Sequence, residues 1–522
     1  LVNNDYKNRQ RSPMNIQPHL KDNISYIRNR FGNSKDFIVR EIVLGKNREI
    51  TLAFTYIEGL IDKDSVFRLL DSMLLYADQI QINEFDSFMR HLAITVGDIG
   101  YKRDFAGAQS ALLAGETVIW MDTVAVAIAV NTRGGEMRHV SEPVSQTVVR
   151  GPQDGFTETL TTNLSLVRRR IKNPNLWVES KQLGRVTKTD VALMFIHGLV
   201  KDELLEELRT RLAKINLDGI LESNYIEEFI QDETFTVFPT VNNTERPDVV
   251  AAALLEGRVA IFVDGTPFVL LVPGLFTQFL QSPEDYYHRS DYGLLRVLRY
   301  ISLLVSLLAP ALYIAITTFH QEMIPTSLLI SLAAQREGIP FPAFIEALMM
   351  EVTFELLREA GVRMPRAVGT SISIVGALVL GQAAVEAGLV SPAMVIIVSI
   401  TAITGFIFPS FEIGISIRLL RFVFMGLAAS FGFFGIIIGL IALILHLCHL
   451  QSFGVPYMTP FAPFQMKEQK DNVVRVPWWQ MYSHLMNPTA NKRRHSADVG
   501  GESPPSPRNK QKINDPNEGE SG

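Results

Sequence analysis

The clearest chemical pattern in the chain lies between Phe344 and Val362, where Glu351, Glu355 and Glu359 recur every four residues. That spacing stacks three carboxylates on one face of a helix. Glu346 falls about 140° round the same helix from Glu351, and Arg358 lies beside the stripe. Their neighbours are mostly Ala, Leu, Met, Val and Phe. A carboxylate inside a membrane is costly unless it faces water or a partner. Two readings follow. In one, the stripe lines a cation path, as acidic rings do in cation pores. In the other, it is the polar face of an amphipathic helix at the membrane surface, with Arg358 neutralising a neighbour.

The remaining candidates are less specific. His320 and Glu322, beside Pro325, suit proton sensing or ligand binding, or simply the end of a span at the outer interface. Arg168-Arg169-Arg170 suits anionic lipid or a partner, or a helix C-terminus, where cations complement the dipole. Arg150, Arg168, Arg169, Arg246, Asp248 and Arg258 are candidates for contacts between modules or for assembly. His446 and His449 alone complete no tetrahedral zinc site. The chain holds no GxxxxGK[ST], HExxH, GxSxG or CxxC. The expectation is therefore no enzymatic step, cofactor or metal.

The elements that carry these residues divide near Tyr292. Beyond it, Tyr300–Phe319, Ala367–Val385, Ala387–Phe411 and Phe422–Leu445 contain no Asp, Glu, Lys or Arg. Each is near or above the roughly 20 residues that cross a bilayer as a helix. Arg296 and Arg299, then Arg358, Arg363 and Arg366, then Arg418 and Arg421 flank these runs. By the positive-inside rule these three clusters are cytoplasmic. Crossings are expected at 297–319, 344–362, 367–386, 391–411 and 422–446. Five crossings put the tail outside, whereas Lys492-Arg493-Arg494 prefers the inside. The short run Met323–Gln335 is a sixth crossing or a re-entrant hairpin.

Before the division, two modules resemble each other. Ala53-Phe54-Thr55-Tyr56-Ile57-Glu58-Gly59-Leu60-Ile61 matches Ala192-Leu193-Met194-Phe195-Ile196-His197-Gly198-Leu199-Val200, about 140 residues later. Leu112-Leu113-Ala114-Gly115, with Ile119 and Asp122, matches Leu254-Leu255-Glu256-Gly257, with Ile261 and Asp264, at a closely similar offset. The agreement points to an internal duplication. Asp264-Gly265 between apolar runs predicts a hairpin. The expected class is a soluble N-terminal α/β region of two related subdomains, followed by an all-α multi-pass transmembrane domain. The expected boundaries are a polar leader at 1–35, subdomains at 36–149 and 150–290, a membrane domain of five or six segments at 291–450, and at 451–522 a Pro-containing juxtamembrane segment and a disordered polar tail.

The net charge of -5 over 522 residues argues against a nucleic-acid partner. The lone cysteine, Cys448, permits no disulfide within the chain, so nothing calls for an oxidising compartment. The first residues hold no apolar signal core. The soluble half is therefore expected on the cytoplasmic side.

Long ordered blocks resemble one family. They include RGPQDGFTETLTTNLSLVRRRIK (150–172), RPDVVAAALLEGRVAIFVDGTPFVLLVP (246–273), SPEDYYHR (282–289), PALYIAITTFHQEMIPTSLL (310–329), the run 336–392, IRLLRF (417–422) and SFGVPYMTP (452–460). Together they are similar to the GerA family of spore germination proteins, specifically to A subunits of nutrient germinant receptors. The likeness spans Phe37 to Trp479. The resemblance implies a place in the inner membrane of a dormant bacterial endospore. It also implies a transporter-like B subunit and a lipoprotein C subunit as partners, with lipid around the helices. Nutrient binding would start release of monovalent cations, then of calcium dipicolinate. A subunits would oligomerise into a conducting pore, which places Glu346, Glu351, Glu355, Glu359 and Pro310 in the region of ion passage or gating. The rivals are a non-conducting scaffold, an auxiliary germination protein of the stage V sporulation AF type, and an independent transporter. The last lacks an inverted repeat of interrupted helices in its support.

Overall fold

The computed structural model describes residues 14–44, 50–75, 98–134, 142–143, 146–288, 293–363, 379–466 and 468–475. Its first half contains two sheets built to one plan. In the first, α1 (Leu20–Arg30) precedes β1 (Phe37–Leu44) and β2 (Ile50–Ile57). These are followed by α2 (Lys63–Leu75), β3 (Ile99–Lys102), α3 (Phe105–Leu113), β4 (Thr117–Met121) and β5 (Ala127–Val130). The second repeats it with α4 (Leu160–Arg170), β6 (Leu176–Leu183), β7 (Thr189–Ile196), α5 (Asp202–Lys214), α6 (Asn224–Ile230), β8 (Asn242–Thr244), α7 (Pro247–Leu255), β9 (Val259–Val263) and β10 (Val269–Val272). The strand orders are β1-β2-β4-β5-β3 and β6-β7-β9-β10-β8, antiparallel throughout.

Helices cover both faces of each sheet. Ala53, Ile57, Val118 and Trp120 pack under α1 and α3, while Leu52, Phe54, Ile119 and Met121 pack under α2. A strand buried on both sides gains from apolar residues at every position. That is why these strands read as continuous runs rather than alternating ones.

Matching polar details show that the duplication is structural. Asn23 Nδ2 donates to Gln17 O and its Oδ1 accepts from Gln17 N; Asn163 does the same with Thr157. Asp122 caps α1 by accepting from Leu20 N at 3.0 Å, and Asp264 caps α4 by accepting from Leu160 N at 3.1 Å. Gly115 and Gly257 both have positive φ, and a Cβ there would meet the carbonyl oxygens of Leu60 and Leu199 at 2.7 and 3.0 Å. Only glycine fits such a site.

The second half is helical: α8 (Leu295–Thr318), α9 (Thr326–Arg336), α10 (Ala343–Arg363), α11 (Pro392–Gly405) and α12 (Phe411–His449). By length and composition α8 and α12 can cross a membrane. The run 422–446, read above as one crossing, is not one. At Gly432 the backbone leaves the helical region, with φ 61° and ψ -139°, and the chain doubles back. Gly435 packs against the Leu427 carbonyl, and a Cβ on Gly439 would lie 2.9 Å from Phe424. Ile413 and Leu447, at opposite ends of α12, meet in one cluster with Phe238 and Phe276 of the soluble half. Residues 411–431 and 433–449 thus form a helical hairpin. At about 1.5 Å per residue its arms measure roughly 31 and 25 Å, against a hydrocarbon core of about 30 Å. Both ends return to the soluble side.

The same side receives the chain after α12. Ser452 Oγ donates to Thr240 O and accepts from Gly274 N, and Arg475 Nη1 donates to the carbonyls of Asp285 and His288. Of the two sides left open for the tail, residues 451–475 lie on that of the soluble region. The Lys492-Arg493-Arg494 segment lies outside the described residues, as do most of the expected crossing at 367–386 and the leader up to residue 13; the rest of the expected leader, 14–35, is not loosely ordered, because α1 buries Leu20, Ile24 and Ile27 in the first core. Helix α9 holds only 11 residues, about half a bilayer in length, so Met323–Gln335 is not a sixth crossing.

Candidate functional site

The helix that carries the acidic stripe, α10, packs against α8, α11 and α12. Its carboxylates meet arginines at three depths. Deepest is Glu351, almost fully buried, whose Oε2 accepts from Arg421 Nη1 at 2.6 Å. One turn on, Glu355 Oε2 accepts from Arg418 Nη1 at 2.9 Å, and its Oε1 lies 3.6 Å from Arg358. Glu359 is exposed and pairs with Arg363 at 2.7 Å. Arg358 lies over the rings of Phe354 and Phe406 at 5.1 and 5.4 Å.

Pro310 belongs to the deepest node. Proline has no N–H, so it leaves the carbonyl four residues earlier without its helical donor. That carbonyl is Ser306 O, and Arg421 Nε donates to it at 2.8 Å, while Arg421 Nη2 donates to Ser306 Oγ at 2.9 Å. One guanidinium thus joins α8, α10 and α12. Ser306 is 11 residues into α8 and Arg421 is 11 residues short of the hairpin turn, which puts the node near mid-depth. In that environment an unpaired charge is expensive, so the arrangement can act as a latch between helices.

Glu346 stands apart. It is fully buried, and its Oε1 accepts from Ser391 N at 2.6 Å and from Ser391 Oγ at the first turn of α11. A carboxylate there complements the helix dipole. Arg336 is 3.9 Å away. His320 sits against Phe433 at the hairpin turn, 4.9 Å between ring centres, and Glu322 is exposed. His446 lies at the opposite level, with Nε2 2.9 Å from Thr236 Oγ1.

Several of the soluble-side candidates make contacts within the fold. Arg168 is buried between the two sheets, where Nε and Nη2 grip Asp36 at 2.5 and 2.9 Å and Nη1 donates to Leu176 O. Arg169 donates to Gly134 O at 2.9 Å. Arg246 ties Gln146 O, Pro152 O and Asp248 together next to the second sheet. Arg258 makes no ion pair among the described residues, and Arg150 is exposed. The arginines at the start of α8 are held by Asp285, fully buried, at 2.7–2.8 Å from Arg296 and Arg299. Burial alone would raise the Asp285 carboxyl; the hydrogen bonds and charges of Arg299 and Arg296 outweigh it and hold it below the usual range.

Sequence spacing brought out Glu351, and the family resemblance Pro310, but neither pointed to Arg421, Ser306, Arg418, Ser391 or Asp285 as parts of the site. Arg418 and Arg421 look like a cytoplasmic flank because they precede an uncharged run. The available signal was Ser306 placed four residues before Pro310, which marks a carbonyl in need of a donor.

Comparison with known proteins agrees with the residue blocks above. Residues 25–486 match the family model described as Bacillus/Clostridium GerA spore germination protein. Spore germination protein KA of Bacillus subtilis (strain 168) is 53% identical over 468 residues, 90% of this chain and 86% of that protein. Spore germination protein GerLA of Bacillus cereus is 40% identical over 465 residues, 89% of this chain and 94% of that one. A solved structure, the N-terminal domain of the A subunit of the Bacillus megaterium spore germinant receptor GerK3, aligns with a TM-score of 0.41 at 38% identity, over 51% of this chain and 99% of that domain. The chain belongs to the GerA family of spore germination proteins.

Proposed function

We propose that this chain is the membrane A subunit of a spore nutrient germinant receptor, and that its helices open a cation path when the receptor is occupied. It works in the spore inner membrane, with the soluble region on the core side, beside a transporter-like B subunit and a lipoprotein C subunit. The path forms in a homo-oligomer. The observation that carries the gating part is the Arg421–Glu351–Ser306 node, a charge pair in the interior of the helix bundle that links α8, α10 and α12. Occupancy of the receptor favours an arrangement in which these pairs separate and the carboxylates face water, a shift between two populations. Family membership supports the receptor assignment; the conduction step rests on the node alone.

A second reading has its own support. Glu351, Glu355 and Glu359 each pair with an arginine, so the stripe is neutralised along its length. A non-conducting scaffold that transmits a signal to its partners would have this feature. Potassium release from spores and cation leak from liposomes separate the two. Conduction predicts that Glu351→Gln with Glu355→Gln slows nutrient-triggered release at normal protein level, and that the purified chain leaks cations at high density. Unchanged release together with tight liposomes would leave the scaffold.

A further inference from the structure

Where the second sheet meets the helices, a cavity of about 670 Å³ opens between α7, the linker Gln278–Tyr287, Arg299 at the start of α8 and the loop Phe406–Ser410 that joins α11 to α12. Small-molecule sites span about 300–1,000 Å³ and combine apolar walls with a few placed polar groups. Here the walls include Val249, Leu255 and Phe408. The polar group that stands out is Arg258. It is 4% exposed, its Nη2 donates to Leu271 O at 3.2 Å, and Nε has no partner among the described residues. Other arginines of the wall differ: Arg170 grips Asp154 and Arg299 grips Asp285. Burial lowers Arg258 to about 10, and Glu256 opposes this only through space. A buried cation with no ion-pair partner, as Arg258 is among the described residues, is costly.

The fold does not call for an arginine there. In the duplicated first subdomain the residue after the matching glycine is Glu116, which pairs with Arg133 at 2.6 Å. The cation is a feature of the second subdomain only, at the place where that subdomain touches the loop between two membrane helices.

We propose that this cavity is a binding site for a small oxyanion group, a carboxylate or phosphate, with the Arg258 guanidinium as its counter-charge. The group belongs to a dissolved solute or to the headgroup of an anionic lipid; the chemistry at Arg258 is the same. The occupant bridges α7 to the 406–410 loop, so its binding couples the soluble region to the helices. The site is independent of whether the chain conducts ions.

The test uses the full-length chain in phosphatidylcholine nanodiscs, with its thermal midpoint followed against inorganic phosphate and against acetate. A saturable rise is expected. Arg258→Gln should weaken it by about tenfold or more, the loss of a charge-assisted contact. Ala252→Trp, a change at an exposed lining position, should abolish it by filling the cavity while leaving Arg258 in place. That variant keeps the test decisive if Arg258→Gln does not fold. A rise only in discs containing phosphatidylglycerol, lost in the same variants, would assign the oxyanion to lipid. No rise with any probe, or a rise that both variants retain, overturns the proposal.

Discussion

The deepest node illustrates how single residues depend on one another. Pro310 frees the Ser306 carbonyl, Arg421 takes it, and Glu351 balances Arg421. Breaking a buried pair strands a charge, whereas replacing both partners by apolar residues does not. Arg421→Met should therefore destabilise the helix bundle by about 3–5 kcal/mol, because Glu351 is left alone. Arg421→Met combined with Glu351→Leu should recover most of that loss. Thermal unfolding in detergent, or protease resistance of the membrane half, reads both. If the double variant is no better than the single one, the node is not held by charge balance.

Among the elements, α12 decides the topology. Its turn depends on Gly432, where φ is 61° and an added Cβ would lie 2.8 Å from the His320 ring. Backbone of that kind costs a side-chain-bearing residue about 1–3 kcal/mol before any clash. Gly432→Val should lower the thermal midpoint and disturb the far end of α8, where His320 packs on Phe433. Gly426→Val is the control, because a Cβ there meets nothing within 4 Å. Equal effects of the two substitutions would mean that the turn is not the sensitive point. The hairpin also explains the exposed apolar rows on α12, such as Phe434, Ile437, Ile441 and Leu445. Lipid or neighbouring subunits cover such surface in a membrane.

For the whole molecule, the decisive contacts lie between the soluble region and the near ends of the helices. At one of them, Glu227 on α6 faces a cavity of about 320 Å³ that Glu222 and Glu412 also line, and Asn243 Nδ2 donates to Glu412. No lysine or arginine lines it among the described residues. Burial, then the charges of Glu412, Glu222 and Glu228, push Glu227 up to about 8. An acid with a raised value favours its protonated form in the fold. Its contribution to stability is full below its usual value of 4.5 and is lost as pH climbs towards 8, because the folded state then holds the extra proton. The thermal midpoint should fall as pH rises from about 5 to 8, and Glu227→Gln should flatten that fall. A pH profile that the substitution leaves unchanged would remove Glu227 from this role.

The sequence by itself determined the two-part architecture, since uncharged runs of bilayer length can satisfy their backbone only as helices. It also carried the duplication in the Gly59/Gly198, Gly115/Gly257 and Asp122/Asp264 pairs, because a left-handed turn and a helix cap each demand particular residue types at fixed places. The Glu351 stripe was legible from its period of four. Its partners were not, because a separation of 70 positions between Glu351 and Arg421 leaves no periodic trace of who meets whom. Hydropathy measures how apolar a stretch is but not where it reverses, so a hairpin turning at one glycine reads the same as a single long span. Only the tertiary structure could place both ends of α12 against Phe238 and Phe276, turn Arg421 from a flanking charge into the centre of three helices, and leave Arg258 buried beside a cavity with no ion-pair partner among the described residues.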